Sequence, residues 1–222
     1  MKNFILPRKD GNGRFTLSWS QYDLWKSIQS FNLKQEGKIE YIVKYFLGFD
    51  FPDEGWAEFG RDVEDYITKR EGSEKFTEKE IYTLEKIEPL GVFQRKIKVE
   101  FKNFDLIGFI DDESEDGLRI RDYKTASLKS SEKYRGDFKQ TQFYCLDRYK
   151  RTGDIPDAEI CVIERRGSCL LGKGRKALTV GDEVVYIPKI VTEEQLNELY
   201  LDIEKVAEEI STEFQIFKKI NK

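Results

Sequence analysis

Polar and apolar positions alternate most clearly in the middle of the chain. Ile97, Val99 and Phe101 alternate with Lys98 and Glu100, which predicts a half-buried strand. Two further β-type runs, 106–111 and 118–124, flank a polar stretch that ends in Asp116-Gly117. Asp-Gly between such runs favours a two-residue type I′ turn. The three strands therefore read as a meander in which 115 faces 118, 113 faces 120 and Asp111 faces Asp122. Residues 158–163 are almost continuously apolar, as in a buried strand, and 183–187 read as another. A helix over 131–151 separates 118–124 from 158–163, so a crossover onto the same sheet is expected.

Helical spacing covers much of the rest. Ser18 and Gln21 fit a capping box, followed by Leu24, Ile28 and Phe31 at helical intervals. Further helices are expected over 57–70 and 77–87, the second ended by Pro89-Leu-Gly91. Thr192 and Gln195 cap a last helix. Its stripe of Leu196, Leu199, Tyr200, Ile203, Val206, Ala207, Ile210 and Phe214 should pack on the sheet. Residues 1–15 read as a loose leader and the basic tail 218–222 as fraying. Residues 38–59 are rich in aromatics, which suit a core and could also stack on bases. The pattern as a whole is α/β, a central mixed sheet of about five strands flanked by helices.

Composition narrows the class. At 222 residues, 39% hydrophobic and 36% charged, the chain suits one soluble globular domain spanning 1–222. No apolar run approaches membrane-spanning length and the start lacks an apolar signal core, so a cytoplasmic protein with no membrane partner is expected. Three cysteines give no disulfide framework, and Cys161 and Cys169 lack zinc-site spacing. The net charge of −4 conceals an uneven distribution. Residues 50–88 carry −7 and residues 119–151 carry +6, while Arg165, Arg166, Lys173, Arg175 and Lys176 follow with no acid between 165 and 176. Positive charge thus gathers in the second half of the chain, a distribution that suits a polyanionic partner.

The predicted hairpin carries the chemistry. Opposed side chains sit about 5 Å apart at Cβ, so Asp111 and Asp122 would repel. A divalent cation removes that repulsion, and Mg²⁺ is commonly held by one or two carboxylates with water and substrate oxygens. Lys124 projects from the same face about 7 Å further along. Ile107, Phe109, Leu118 and Ile120 share that face and should form an apolar floor. A solvated acidic rim is the ordinary alternative.

Gly108-Phe-Ile-Asp111 followed by Ile120-Arg-Asp-Tyr-Lys-Thr125 resembles the PD-(D/E)XK nuclease superfamily, in particular its RecB-type and phage exonuclease branches. The resemblance implies a restriction-endonuclease-like fold with its core at about 17–165, leaving 166–222 as a C-terminal hairpin or loop and packing helix. It implies Asp111 and Asp122 as metal ligands, the Tyr123 carbonyl as an extra ligand, and Lys124 as the catalytic lysine. The family's Pro before the first Asp is Ile110 here. Gln140 and Tyr144 match the family's Q-x-x-x-Y helix, which holds the substrate strand. Gly60-Arg-Asp-Val-Glu64 matches the helix carrying the first metal ligand. Many relatives have His at that place, but the chain contains none and Glu64 stands there, a hard oxygen donor suited to Mg²⁺.

The implied activity is Mg²⁺- or Mn²⁺-dependent hydrolysis of DNA, as an exonuclease of recombination, repair or phage DNA processing. The expected partners are DNA and a recombination or single-strand-binding protein, in the host cytoplasm if phage-encoded. The four-cysteine iron–sulfur cluster of some relatives cannot be built from three cysteines. A structure- or sequence-specific endonuclease and a nucleic-acid-binding subunit with an inactive site are the rival readings. Gly167–Gly174 matches the start of a P-loop, but Gly174 replaces the Ser or Thr and no helix follows, so a basic loop over the substrate is expected.

Overall fold

The structure, a computed structural model, describes residues 4–30, 34–52, 55–136, 138–170 and 172–221. Phe31, which spacing assigns to the first helix, lies outside the described residues. Strands β1 (Arg8–Lys9) and β2 (Phe15–Ser18) precede α1 (Trp19–Ser30) and α2 (Lys34–Tyr41), and α2 runs into a π-helical turn at Ile42–Phe46. There follow α3 (Trp56–Lys69), α4 (Glu78–Leu84), β3 (Gly91–Glu100), β4 (Phe104–Ser114), β5 (Arg119–Ala126), α5 (Leu128–Ser131), α6 (Lys139–Thr152), β6 (Asp157–Gly167), β7 (Leu178–Lys189) and α7 (Glu193–Ile220). The sheet runs β1-β2-β4-β5-β6-β7, with β3 also paired to β4. It is mixed: β2 with β4 and β5 with β6 are parallel, and β1/β2, β4/β5 and β6/β7 are antiparallel.

Among the described residues seven strands are present where about five are expected, because residues 4–15 are not a loose leader. Leu6 is buried, the Phe4 ring stacks on Phe104 at 5.8 Å, and β2 pairs with β4. Nor does the basic tail fray early, since α7 continues to Ile220. The helix expected over 131–151 begins at Lys139 instead. Tyr134, in a short 3-10 turn at Glu132–Tyr134, buries its ring beside Ala126, Ile160 and Val162, and this breaks the helix.

The chain packs as two compact units. One comprises 1–51, 96–109 and 192–222. There α1 begins with the Ser18/Gln21 capping box, the Ser18 N–H donating to Gln21 Oε1 at 2.9 Å. The predicted stripe of α7 is buried at Leu196, Leu199, Ile203, Val206, Ala207, Ile210 and Phe214, while Tyr200 stacks on Phe101 at 4.2 Å. Burying each such aliphatic or aromatic side chain contributes roughly 1.5–3 kcal/mol.

The other unit comprises 52–95 and 110–191. The α3 residues Phe59, Val63, Tyr66 and Ile67 share a core with Leu84, Ile87, Tyr123, Cys161 and Ile163. Helix α4 starts at a capping box of Thr77 and Glu80, and the Glu80 carboxylate also accepts the Val180 N–H at 2.8 Å. The parallel β5/β6 pairing, Asp122 with Ile160 and Lys124 with Val162, is the crossover expected from the pattern.

Candidate active site

The β4–β5 ladder pairs Asp112 with Arg121 and Glu113 with Ile120. This is the register expected from the sequence at 113 and 120; continued one residue past the ladder it would face Asp111 with Asp122. The turn is not the expected one. The Gly117 N–H donates to the Ser114 carbonyl at 2.8 Å, and of Asp116 and Gly117 only Gly117 has positive φ (68°), whereas a type I′ turn needs both. Asp116 instead accepts from the Leu118 N–H at 2.9 Å, holding a four-residue loop at 115–118. Because Leu118 sits in that loop it is 45% exposed, and Phe109 is 52% exposed. Of the expected apolar floor, only Ile120 is fully buried.

Asp122 is wholly buried and Lys124 Nζ approaches both its oxygens, at 2.8 Å to Oδ1 and 2.7 Å to Oδ2. Only the Oδ1 contact has hydrogen-bond direction, so Oδ2 remains a buried oxygen without a directed donor. Asp111 Oδ2 accepts the Tyr123 backbone N–H at 3.0 Å. Burial, then the charge of Asp122, push the Asp111 carboxyl well above the usual range; Lys124 opposes this and Glu64 adds to it. Burial also raises Glu64, against a hydrogen bond from Gln94. For Lys124 burial works the other way, but Asp122 and Asp111 outweigh it and hold the amine protonated above its ordinary value.

From α6, the Tyr144 hydroxyl donates to Asp122 Oδ1 at 3.3 Å, and Gln140 Nε2 donates to the Tyr144 oxygen at 2.6 Å. Burial and the two aspartates push the phenol well above its usual value. The i, i+4 spacing therefore brings both side chains to the carboxylate pair, with Tyr144 turned inward. Glu64 projects from α3 and its Oε1 accepts from Gln94 Nε2. Sequence reasoning missed Gln94 and its neighbour Arg95. Arg95 grips Glu113, with Nη2 donating to Oε1 at 2.9 Å, and reaches Asp147 on α6 at 3.0 Å. No local pattern marks either residue, since their partners lie 18 to 52 positions away.

A divalent cation fits the opposed pair. The donors are hard carboxylate oxygens, one of them buried and undirected, and the charge they hold is unfavourable without a cation. A three-carboxylate cage is not assembled: among the described residues no group of three or more His, Cys, Asp or Glu is disposed to hold a metal. The amide of Gln94 occupies Glu64 instead. The three cysteines are free and buried, and burial pushes Cys145 and Cys161 up to about 12, which leaves them poor nucleophiles.

The family model described as the PD-(D/E)XK nuclease superfamily matches residues 48–218. The chain belongs to the PD-(D/E)XK nuclease superfamily. The match runs beyond the core expected at 17–165 and into α7. The crystal structure of a candidate exonuclease from Eubacterium rectale superposes with a TM-score of 0.52 at 15% identity, covering 88% of this chain and 82% of that one. At that identity the likeness speaks to fold alone. No curated protein matches the chain. Among the described residues no helix is long and apolar enough to cross a membrane.

Proposed function

We propose that this superfamily member hydrolyses DNA phosphodiester bonds with Mg²⁺ or Mn²⁺, as an exonuclease of recombination, repair or phage DNA processing. Residues 1–222 act as one nuclease domain, in the cytoplasm of its cell or host, beside a recombination or single-strand-binding protein. The observation that carries the reading is Lys124 bonded to the buried Asp122, with the half-buried Asp111 accepting the Tyr123 N–H beside it. Asp111, Asp122 and the Tyr123 carbonyl would hold the metal, and Glu64 would join them from α3 on turning away from Gln94. The cation, when bound, polarises a phosphoryl oxygen and lowers the pKa of a bound water. Lys124, protonated here, donates to the attacking water or to charge developing on the phosphate. Tyr144 fixes Asp122, and Gln140 keeps its amide oxygen for the substrate strand.

A second reading, a nucleic-acid-binding subunit with an inactive site, draws on the missing three-carboxylate group. One experiment separates these. End-labelled linear duplex and covalently closed circular DNA are incubated with Mg²⁺, Mn²⁺ or EDTA. Metal-dependent loss of the linear form alone supports the exonuclease. Cutting of the circle points to an endonuclease on the same site. Binding without cleavage under either metal would establish the inactive subunit.

A further inference from the structure

Among the described residues six arginines are buried or half-buried: Arg14, Arg95, Arg121, Arg148, Arg165 and Arg175. Five of them bond a carboxylate or a backbone carbonyl. Among the described residues Arg165 bonds neither, and its Nε is buried without a partner. Its guanidinium lies instead over the ring of Trp56, 4.0 Å from the centroid. Trp56, at the start of α3, packs on the core of the same unit, so the platform is fixed. Burial holds the Arg165 pKa below its ordinary value, and no carboxylate is among the groups that oppose this. A desolvated cation without a counter-charge is costly for a fold to keep. Stacking on an aromatic face leaves the in-plane N–H groups of a guanidinium free to grip an oxyanion.

The sheet relates this arginine to Lys124. Arg165 pairs with Val180, whose side chain belongs to the core beneath α3, and opposed residues share a face. Along β6 it stands three residues beyond Val162, the partner of Lys124, roughly 10 Å further on. Strand β5 ends at Ala126, opposite Glu164, so Arg165 lies where that strand no longer flanks β6. Tyr134 is within electrostatic range of both Lys124 and Arg165. We infer that Arg165, held flat on Trp56, binds a backbone phosphate of the substrate strand beyond the bond that Lys124 serves. The inference rests on the reading of the protein as a DNA nuclease. Trp56 sets the plane of the guanidinium, so the contact fixes where the strand runs past the carboxylates without touching the reacting atoms. Lysine would supply the charge but neither the stacking nor the two-pronged grip.

The test is binding of a fluorescently labelled DNA duplex to the full chain in EDTA, read by anisotropy across salt concentrations, for wild type, Arg165→Met and Arg165→Lys. Arg165→Met should bind about 10-fold more weakly. The slope of its log affinity against log salt should fall by about 1, the effect of one phosphate contact. Arg165→Lys should keep the slope and lose part of the affinity. Arg165→Met should melt no lower than wild type, because the lost cation was unpaired and methionine still packs on Trp56. An unchanged salt slope in Arg165→Met would overturn the inference, and a lower melting temperature with it would assign Arg165 to packing alone. Cleavage of the same duplex with Mg²⁺ judges the nuclease reading separately. Wild type that binds without cleaving would remove that reading, while the salt slope still decides the phosphate contact.

Discussion

Asp111→Asn and Asp122→Asn each replace one oxygen by nitrogen, yet the site predicts that only the first stabilises the metal-free protein. Two carboxylates about 5 Å apart in an environment of effective dielectric near 20 repel by roughly 3 kcal/mol. Lys124 offsets part of this, and its direct bonds go to Asp122. Asp111 is left with a single backbone donor and a carboxyl that burial and Asp122 disfavour as an anion. Asparagine keeps an acceptor for the Tyr123 N–H while removing the charge. A net gain of about 1–2 kcal/mol is expected, which in a protein of this length raises Tm by roughly 2–8 °C. Asp122→Asn relieves the same repulsion but strips Lys124, only 23% exposed, of its bonded carboxylate. Removing one partner of a buried pair is costly, so no gain is expected at that position. The assay is thermal melting in EDTA and again with Mn²⁺, which should raise Tm of wild type and not of Asp111→Asn. A lower Tm for Asp111→Asn in EDTA, or an equal gain at Asp122, would refute the opposed-carboxylate reasoning.

Three further outcomes are expected elsewhere in the same unit. The Arg166 guanidinium and the N–H groups of Asp182 and Glu183 hold the Glu164 carboxyl below its usual range, so its contribution is complete at neutral pH and lost as pH falls through that lowered value. Acid melts of Glu164→Gln should show a correspondingly weaker loss. Lys173→Glu with Lys176→Glu, on the basic β6–β7 loop, should weaken DNA binding and flatten its salt dependence, read by fluorescence anisotropy across salt concentrations, while cleavage of a small phosphodiester is unchanged. Gly55→Ala should lower stability by about 1–3 kcal/mol in denaturant melts, because φ is 104° there and a Cβ would lie 2.4 Å from the Arg175 nitrogen.

The hairpin register was legible because period-two alternation and a turn signal act locally: Glu113 and Ile120 could be paired from spacing alone. The turn type was not, since Ser114 and Asp116 supply side-chain acceptors that stabilise a wider loop just as Asp-Gly favours a narrow one. The helical stripe of α7 was read almost residue for residue, because burial imposes its period on the sequence. The short strands β1 and β2 were missed, as Arg8-Lys9 has no β character and β2 finds its partner some 90 residues away. Glu64, Gln140 and Tyr144 came from resemblance, and the structure adds what they touch. Gln94 and Arg95 left no trace in the sequence, because one polar side chain meeting a distant carboxylate creates no pattern.

The most direct measurement is cleavage of end-labelled linear duplex DNA by wild type and Lys124→Ala, each with Mg²⁺ and with EDTA. The site predicts product from wild type with Mg²⁺ only, and a loss of at least 100-fold in the variant, the scale on which removing one group that stabilises transition-state charge slows an enzyme. Cleavage by Lys124→Ala at the wild-type rate, or by either protein in EDTA, would contradict the assignment of this site.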